Sequence, residues 1–276
     1  MSRIRELASH REILLNLVRK ELKVKYTASV LGTVWSLLNP VVFLVVFWFV
    51  SIVLRGGIQD YPIFLLSGLL AWNLFSVSLS TGSQSVLSNA NLVKKVYFPR
   101  EILPLATVGV ALVDFLLQSA VFFAYLLIKG YGFHMDALWL YPLAFVALLV
   151  LSVAVAFWAS ALNVRYRDVQ HLVGLGLLVW FWITPIVYSA ATVYNALVDR
   201  GDVWAWKVFL ANPLSWVVFG FQGALYHSPD ADTVLAPMSD GQLATGLGVV
   251  IVIGTLVLYG TWRLFFSMSG DFAEEL

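Results

Sequence analysis

Residues 137–164 read ALWLYPLAFVALLVLSVAVAFWASALNV, a run without one charged side chain. A helix needs about 20 mostly apolar residues to cross a bilayer, and so long an apolar run is the signature of a span rather than of a buried soluble helix. No strict alternation of apolar and polar residues supports a β-barrel. Working outward, five further segments meet the same standard or approach it. Residues 37–54 and 172–198 carry no charge, 62–93 is charge-free with a span in its first two thirds, 102–128 is interrupted only by Asp114, and 242–262 closes the series. The expected fold class is therefore all-α integral membrane, with six transmembrane helices. Composition agrees: 60% of the residues are hydrophobic and 12% charged, against about 45–50% and about 25% in soluble domains. One core of this size cannot bury that surplus, so lipid covers it.

The basic residues orient the bundle. Arg3, Arg5, Arg11, Arg19, Lys20, Lys23 and Lys25 precede the first span; Lys94, Lys95 and Arg100 follow the second; Arg165 and Arg167 follow the fourth; Arg263 follows the sixth. Only Arg55, Lys129, Arg200 and Lys207 fall on the other side. This positive-inside bias places both termini in the cytoplasm of a multi-pass protein of the inner membrane. The first apolar run begins behind a long basic stretch, which gives no sign of a cleavable signal peptide. Ile4, Leu7, Ala8, Leu15, Val18 and Leu22 recur at helical spacing among the basic residues. That pattern predicts an amphipathic helix lying along the inner leaflet. The chain reads as one domain, 1–276: an amphipathic interface segment over 1–34, the six-span bundle over 35–266 and a cytoplasmic tail over 267–276.

Residues 203–226 are aromatic and apolar, but Lys207 and the Asn212-Pro213 pair divide them. They are expected to form two short helices that lie at, or dip into, the outer interface. A seventh span would instead put the C-terminus outside.

Several chemistries lack their residues. Cysteine is absent, which excludes disulfides, thiolate metal sites and cysteine nucleophiles. No G-x-x-x-x-G-K-[ST] occurs, so the chain has no phosphate-cradling loop of its own. His10, His134, His171 and His227 are scattered without metal-ligand spacing. Asp199, Asp202, Asp230 and Asp232 are the acids that a membrane-embedded glycan transferase would use, but they sit among loop residues where solvated acids are expected. Asp114 is the one acid inside a span. It has two readings, an interhelical hydrogen bond made with Gln118 one turn on, or a channel-facing role. A proton-driven carrier usually has several such groups.

Three stretches carry a resemblance. KYTASVLGTVW at 25–35, followed by Pro40, resembles the entry to the first span of ABC-2-type permeases that export polysaccharides. NLVKKVYFPREILP at 91–104 is similar to that family's short cytoplasmic connection between spans two and three. YRDV at 166–169 and TPIVY at 184–188 look like its turn into span five and the outer end of that span. The resemblance implies a permease subunit, not an enzyme, working as a homodimer with two copies of a separate cytoplasmic ABC ATPase. It implies a lipid-linked glycan substrate of the O-antigen, teichoic acid or cell-wall galactan type, and re-entrant helices between spans five and six. ATP and Mg would be used by the partner; this chain would bind no cofactor or metal, and no nucleic acid. The alternatives are an ABC-2 permease for a lipid or drug and a glycan transferase.

An ATPase can drive a membrane partner only through a rigid contact. The expected coupling residues are Asn89, Asn91, Leu92, Lys94, Lys95, Val96, Tyr97, Phe98 and Arg100, on a helix of two to three turns over 89–98 that Pro99 stops. Arg165, Arg167 and Asp168 form a second, smaller contact. The alternative readings are an interfacial loop with its aromatics at headgroup level, and a positive-inside turn capped by Asp168. Trp35, Asp114, Trp180, Trp182 and Tyr188 are the candidates for a substrate path, since flat aromatic faces stack on sugar rings. Membrane lipids complete the expected partners.

Overall fold

The computed structural model describes residues 9–26, 58–132, 136–228 and 231–276, together with Arg5, Leu7 and isolated positions between 38 and 49. Most of the predicted first span, and Trp35 with it, lies outside the described residues. Among them the secondary structure is entirely helical: α1 (Arg11–Tyr26), α2 (Tyr61–Ser88), α3 (Ala90–Lys95), α4 (Ile102–Lys129), α5 (Leu140–Arg165), α6 (Val169–Ile183), α7 (Ala190–Asp199), α8 (Val203–Leu210), α9 (Pro213–Leu225), α10 (Ala231–Val234), α11 (Asp240–Met268) and α12 (Phe272–Glu275).

Four of these, α2, α4, α5 and α11, are long and apolar enough to cross a membrane, and α8 with α9 makes a fifth if the bent pair is one span. At 1.5 Å per residue a 28-residue helix such as α2 reaches about 42 Å, well beyond the ~30 Å hydrocarbon core. α5 is central, flanked by α2 and α11, while α4 covers α2 and α9 wedges among α2, α5 and α11. Lipid tails give helices no hydrophobic reason to associate, so close approach and buried polar bonds hold them together. Gly82 of α2 lies so near α5 that a Cβ there would stand 2.9 Å from the Ala156 methyl. One turn further on, the Ser85 and Ser160 hydroxyls bond at 2.9 Å, and Asn163 Nδ2 donates to the Ser83 carbonyl at 2.9 Å.

The predicted fifth span, 172–198, is broken. α6 ends at Ile183 after 15 residues, about 22 Å of helix. Pro185 cannot continue the backbone ladder, and its ring forces Thr184 into an extended conformation (φ −90°, ψ 133°). Residues 203–226 do form two helices, α8 and α9, set at 85° to one another. The elbow is chemical: the Asn212 side chain accepts from the Leu214 N–H, Pro213 opens α9, and Trp216 Nε1 donates to the Leu210 carbonyl that α8 leaves unpaired.

The four long helices share two apolar clusters. The larger fills the middle and one end of the bundle. The smaller gathers Leu17, Val86, Val93, Phe98, Ile102, Phe157, Val164, Phe265 and Phe272 at the other end, where α2, α5 and α11 finish and α4 begins. This second end also carries Lys94, Lys95, Arg100, Arg165 and Arg167 and is called the basic end below. At the far end Lys129 pairs with Asp60 at 3.3 Å and the Tyr226 hydroxyl donates to the Gln59 carbonyl at 2.7 Å. Beside them the Tyr131 oxygen accepts from the His227 N–H. Burial pushes the Tyr131 hydroxyl up to about 12 against the lowering effect of that bond, with Asp60 adding to the rise, so it stays neutral at physiological pH.

Gly246 offers a direct test of this packing, since a Cβ there would run into the Trp216 ring, whereas one at Gly248 meets nothing within 4 Å. Gly246→Val is expected to displace Trp216 and cost about 1–3 kcal/mol, lowering the thermal midpoint in detergent, while Gly248→Val leaves it nearly unchanged. Equal midpoints for the two variants would mean that the α9–α11 contact is not close-packed.

Candidate functional site

The connection between α2 and α4 is the most sharply built feature of the basic end. α3 is shorter than the expected two to three turns: it runs only from Ala90 to Lys95, and Val96 is already extended (φ −127°, ψ 133°), three residues ahead of Pro99. Val93 and Phe98 turn inward into the smaller cluster, Phe98 with 6% of its surface exposed. Tyr97 between them points outward with 97% exposed, and Val96 is half exposed. Asn91, Lys94 and Lys95 are also exposed, whereas Leu92 is half-buried and Asn89 is buried. The chain bends at Phe98, which turns that ring inward while Tyr97 before it stays outside, so the two rings do not both face a partner. An aromatic ring is thus presented at the end of a segment pinned from both sides.

Asn89 belongs to the structure behind this knob. Its Nδ2 donates to the Ser85 carbonyl at 3.0 Å, and its Oδ1 accepts from Lys20 Nζ of α1 at 3.0 Å. Arg100 reaches the C-terminal segment, where its guanidinium donates to the Ser269 carbonyl and lies over the Phe272 ring. Arg165, Tyr166, Arg167 and Asp168 form an exposed turn between α5 and α6, with the Arg165 guanidinium 5.8 Å from the Tyr166 ring centre. Asp168 makes no side-chain cap to α6. The turn is fixed instead by Asn163, whose Oδ1 accepts from the Gln170 N–H at 3.1 Å.

α1 does not follow the expected path along the leaflet alone. It packs on α4, with a Val18 methyl in the space over Gly109 and Lys25 Nζ 2.6 Å from Asp114 Oδ2. Asp114 lies twelve residues into α4, about 18 Å above its start. Its carboxylate is therefore matched by a cation from α1, while Gln118 accepts instead from Asn73 Nδ2 at 2.8 Å. A glycine with room for a neighbouring helix, and a charge at the depth of an acid, bring the two helices together. The sequence held both halves of this pair, but nothing in the spacing links residues 89 apart.

The aromatic candidates near the α6 break are mostly engaged. Trp180 Nε1 donates to Asn212 Oδ1 at 2.9 Å, and Asn212 Nδ2 donates to Thr184 Oγ1 at 3.0 Å. The Tyr188 hydroxyl bonds the Trp182 and Ile183 carbonyls at 3.0 and 3.1 Å, closing the open end of α6. Trp182 is 61% exposed on α6. Trp180 also lines a cavity of about 1370 Å³ between α11 and the α8–α9 elbow, with Trp206, Trp216 and Gln242 among its other walls. Trp182 and Tyr188 do not reach it. Asn212 and Thr184, which organise this region, carried no signal beyond a turn-forming residue beside proline.

An all-helical bundle with at least four apolar helices of membrane-crossing length defines a membrane-embedded protein. The chain belongs to the ABC-2 type transporter family, whose model matches residues 13–226. It is 30% identical over 99% of its length, and 98% of the relative's, to the O-antigen export system permease protein RfbA of Myxococcus xanthus. It is 30% identical over 76% of its length, and 79% of the relative's, to a protein of the same name from Klebsiella pneumoniae.

The Lys25–Asp114 pair supplies the test of this arrangement. Asp114→Ala and Lys25→Ala should each lower the thermal midpoint in detergent, and the double variant should lose less than the two combined, with a coupling of about 1–3 kcal/mol. Strictly additive losses would show that the two charges do not act on each other.

Proposed function

We propose that this chain is the transmembrane subunit of an ABC exporter that moves a lipid-linked polysaccharide across the cytoplasmic membrane. In this reading a separate ATPase binds and hydrolyses the nucleotide with its Mg ion, and this chain carries the path. The family match and the relatives' names support the export role. The observation that carries the coupling assignment is the knob at 96–98: a fully presented Tyr97 held rigidly by a buried Phe98. An exposed aromatic on a fixed base is what a hot spot requires, and a fixed base lets closure of the partner be transmitted rather than absorbed. Lys94 and Lys95 steer the approach, and the turn at 165–168 makes the second contact. The finer plan is a homodimer of six-span subunits with two ATPase copies, both termini cytoplasmic, and 203–226 dipping into the membrane from outside without crossing it.

The burial of Phe98 separates two variants that the sequence alone treats alike. Tyr97→Ala is expected to leave insertion and the thermal midpoint unchanged. A truncated hot spot costs about 2 kcal/mol or more, so the variant should lose most of the ATPase that co-purifies with tagged permease in mild detergent, and export with it. Phe98→Ala should instead lower the midpoint. Lys94→Ala with Lys95→Ala should weaken association less, and most visibly at low salt. Full ATPase retention and export by Tyr97→Ala would make 89–98 an interfacial loop.

A further inference from the structure

The C-terminal segment has no role in the reading above, yet it is built into the base of the knob. After α11 the chain turns back, and Phe272 inserts into the smaller cluster with none of its surface exposed. Its ring meets Phe265 edge-on at 5.3 Å and lies 6.0 Å beneath the Arg100 guanidinium. Arg100 also donates to the Ser269 carbonyl, so one residue of the α2–α4 connection grips the tail at two points. α12 packs against α3 itself, and Leu276 is partly buried on the same cluster that holds Val93 and Phe98. The four-residue α12 is too short to be stable alone in water, so its order comes from this seat.

Resting on the assignment of 96–98 as the docking knob, we propose that the segment 269–276 is an intramolecular wedge that seats α3, with Phe272 and Arg100 as positioning residues for ATPase coupling. The wedge touches the inner side of the knob and leaves Tyr97 to the partner. Without it, Val93 and Phe98 lose the aromatic floor that sets the angle of the connection. The knob then samples many poses, and a partner that recognises one of them binds less tightly.

The absence of native cysteine makes the seat measurable on the whole chain. A Val93→Cys reporter, buried in the intact protein, is exposed to a membrane-permeant thiol reagent in inverted membrane vesicles with and without Phe272→Ala; an Asp136→Cys reporter at the far end serves as the control. Phe272→Ala is expected to raise labelling at position 93 about tenfold and leave position 136 unchanged. It should also raise the ATPase concentration giving half-maximal complex about tenfold, while the hydrolysis rate at saturating ATPase stays the same; general unfolding would lower that rate at an unchanged midpoint. If Phe272→Ala does not accumulate, Phe272→Leu serves, since it keeps an apolar side chain and removes the ring that Arg100 covers; about a threefold rise is expected. Unchanged labelling at position 93 in whichever variant accumulates overturns the wedge. Raised labelling with an unchanged half-maximal concentration keeps the wedge and removes the docking assignment on which the coupling role rests.

Discussion

Hydrocarbon contains no water to satisfy a backbone group that a helix leaves open, so every irregularity at membrane depth must find its partner inside the protein. The architecture follows from that constraint. Pro185 ends α6, and the carbonyls at its open end are taken up by the Tyr188 and Thr184 hydroxyls, the latter held in turn by Asn212 Nδ2. Gln222 Nε2, from α9, donates to the Pro185 carbonyl itself at 3.2 Å. The α8–α9 elbow is closed by Asn212 and by the Trp216 indole in the same way. The broken helix and the elbow are tied to each other through Asn212, which bonds Trp180 and Thr184, and through Gln222. Joined in this way they form one hydrogen-bonded unit, where hydropathy alone shows only two more apolar stretches.

The same economy governs the basic end, with apolar packing in place of hydrogen bonds. α1, α3, the start of α4, the ends of α5 and α11 and the C-terminal segment converge on one cluster of buried aromatics and aliphatics. Where water would otherwise reach it, such a cluster gains about 25 cal/mol for each Å² of apolar surface removed. It therefore makes a firm joint where the membrane helices meet whatever lies beyond. α1 links this joint to the middle of α4, since Lys20 bonds Asn89 behind the knob and Lys25 bonds Asp114 inside α4. A displacement of the knob has a short covalent and ionic route to the interior of the bundle.

Sequence reading reached the features that rest on composition and local chemistry. Long apolar runs gave the long helices α2, α4, α5 and α11, and the Asn212-Pro213 pair gave the division of 203–226. It missed what depends on long-range placement. A charge-free run over 172–198 reads as one span, and hydropathy does not register the break that Pro185 makes within it. Asp114 was visible as an anomaly, but its partner Lys25 sat in a basic stretch where topology already explained every cation. Tyr97 and Phe98 read as equivalent neighbours, since a short connection gives no periodicity from which to tell inside from outside. Phe272 was one aromatic in a tail with no pattern at all.

This chain carries polysaccharide outward rather than making it. The most direct measurement is to delete its gene in the native host and determine on which face of the cytoplasmic membrane lipid-linked glycan is found. Full-length glycan is expected to accumulate on the inner leaflet and disappear from the cell surface, with both restored by the intact chain. Glycan that still reaches the surface, or inner-leaflet chains that fail to be made, would contradict it.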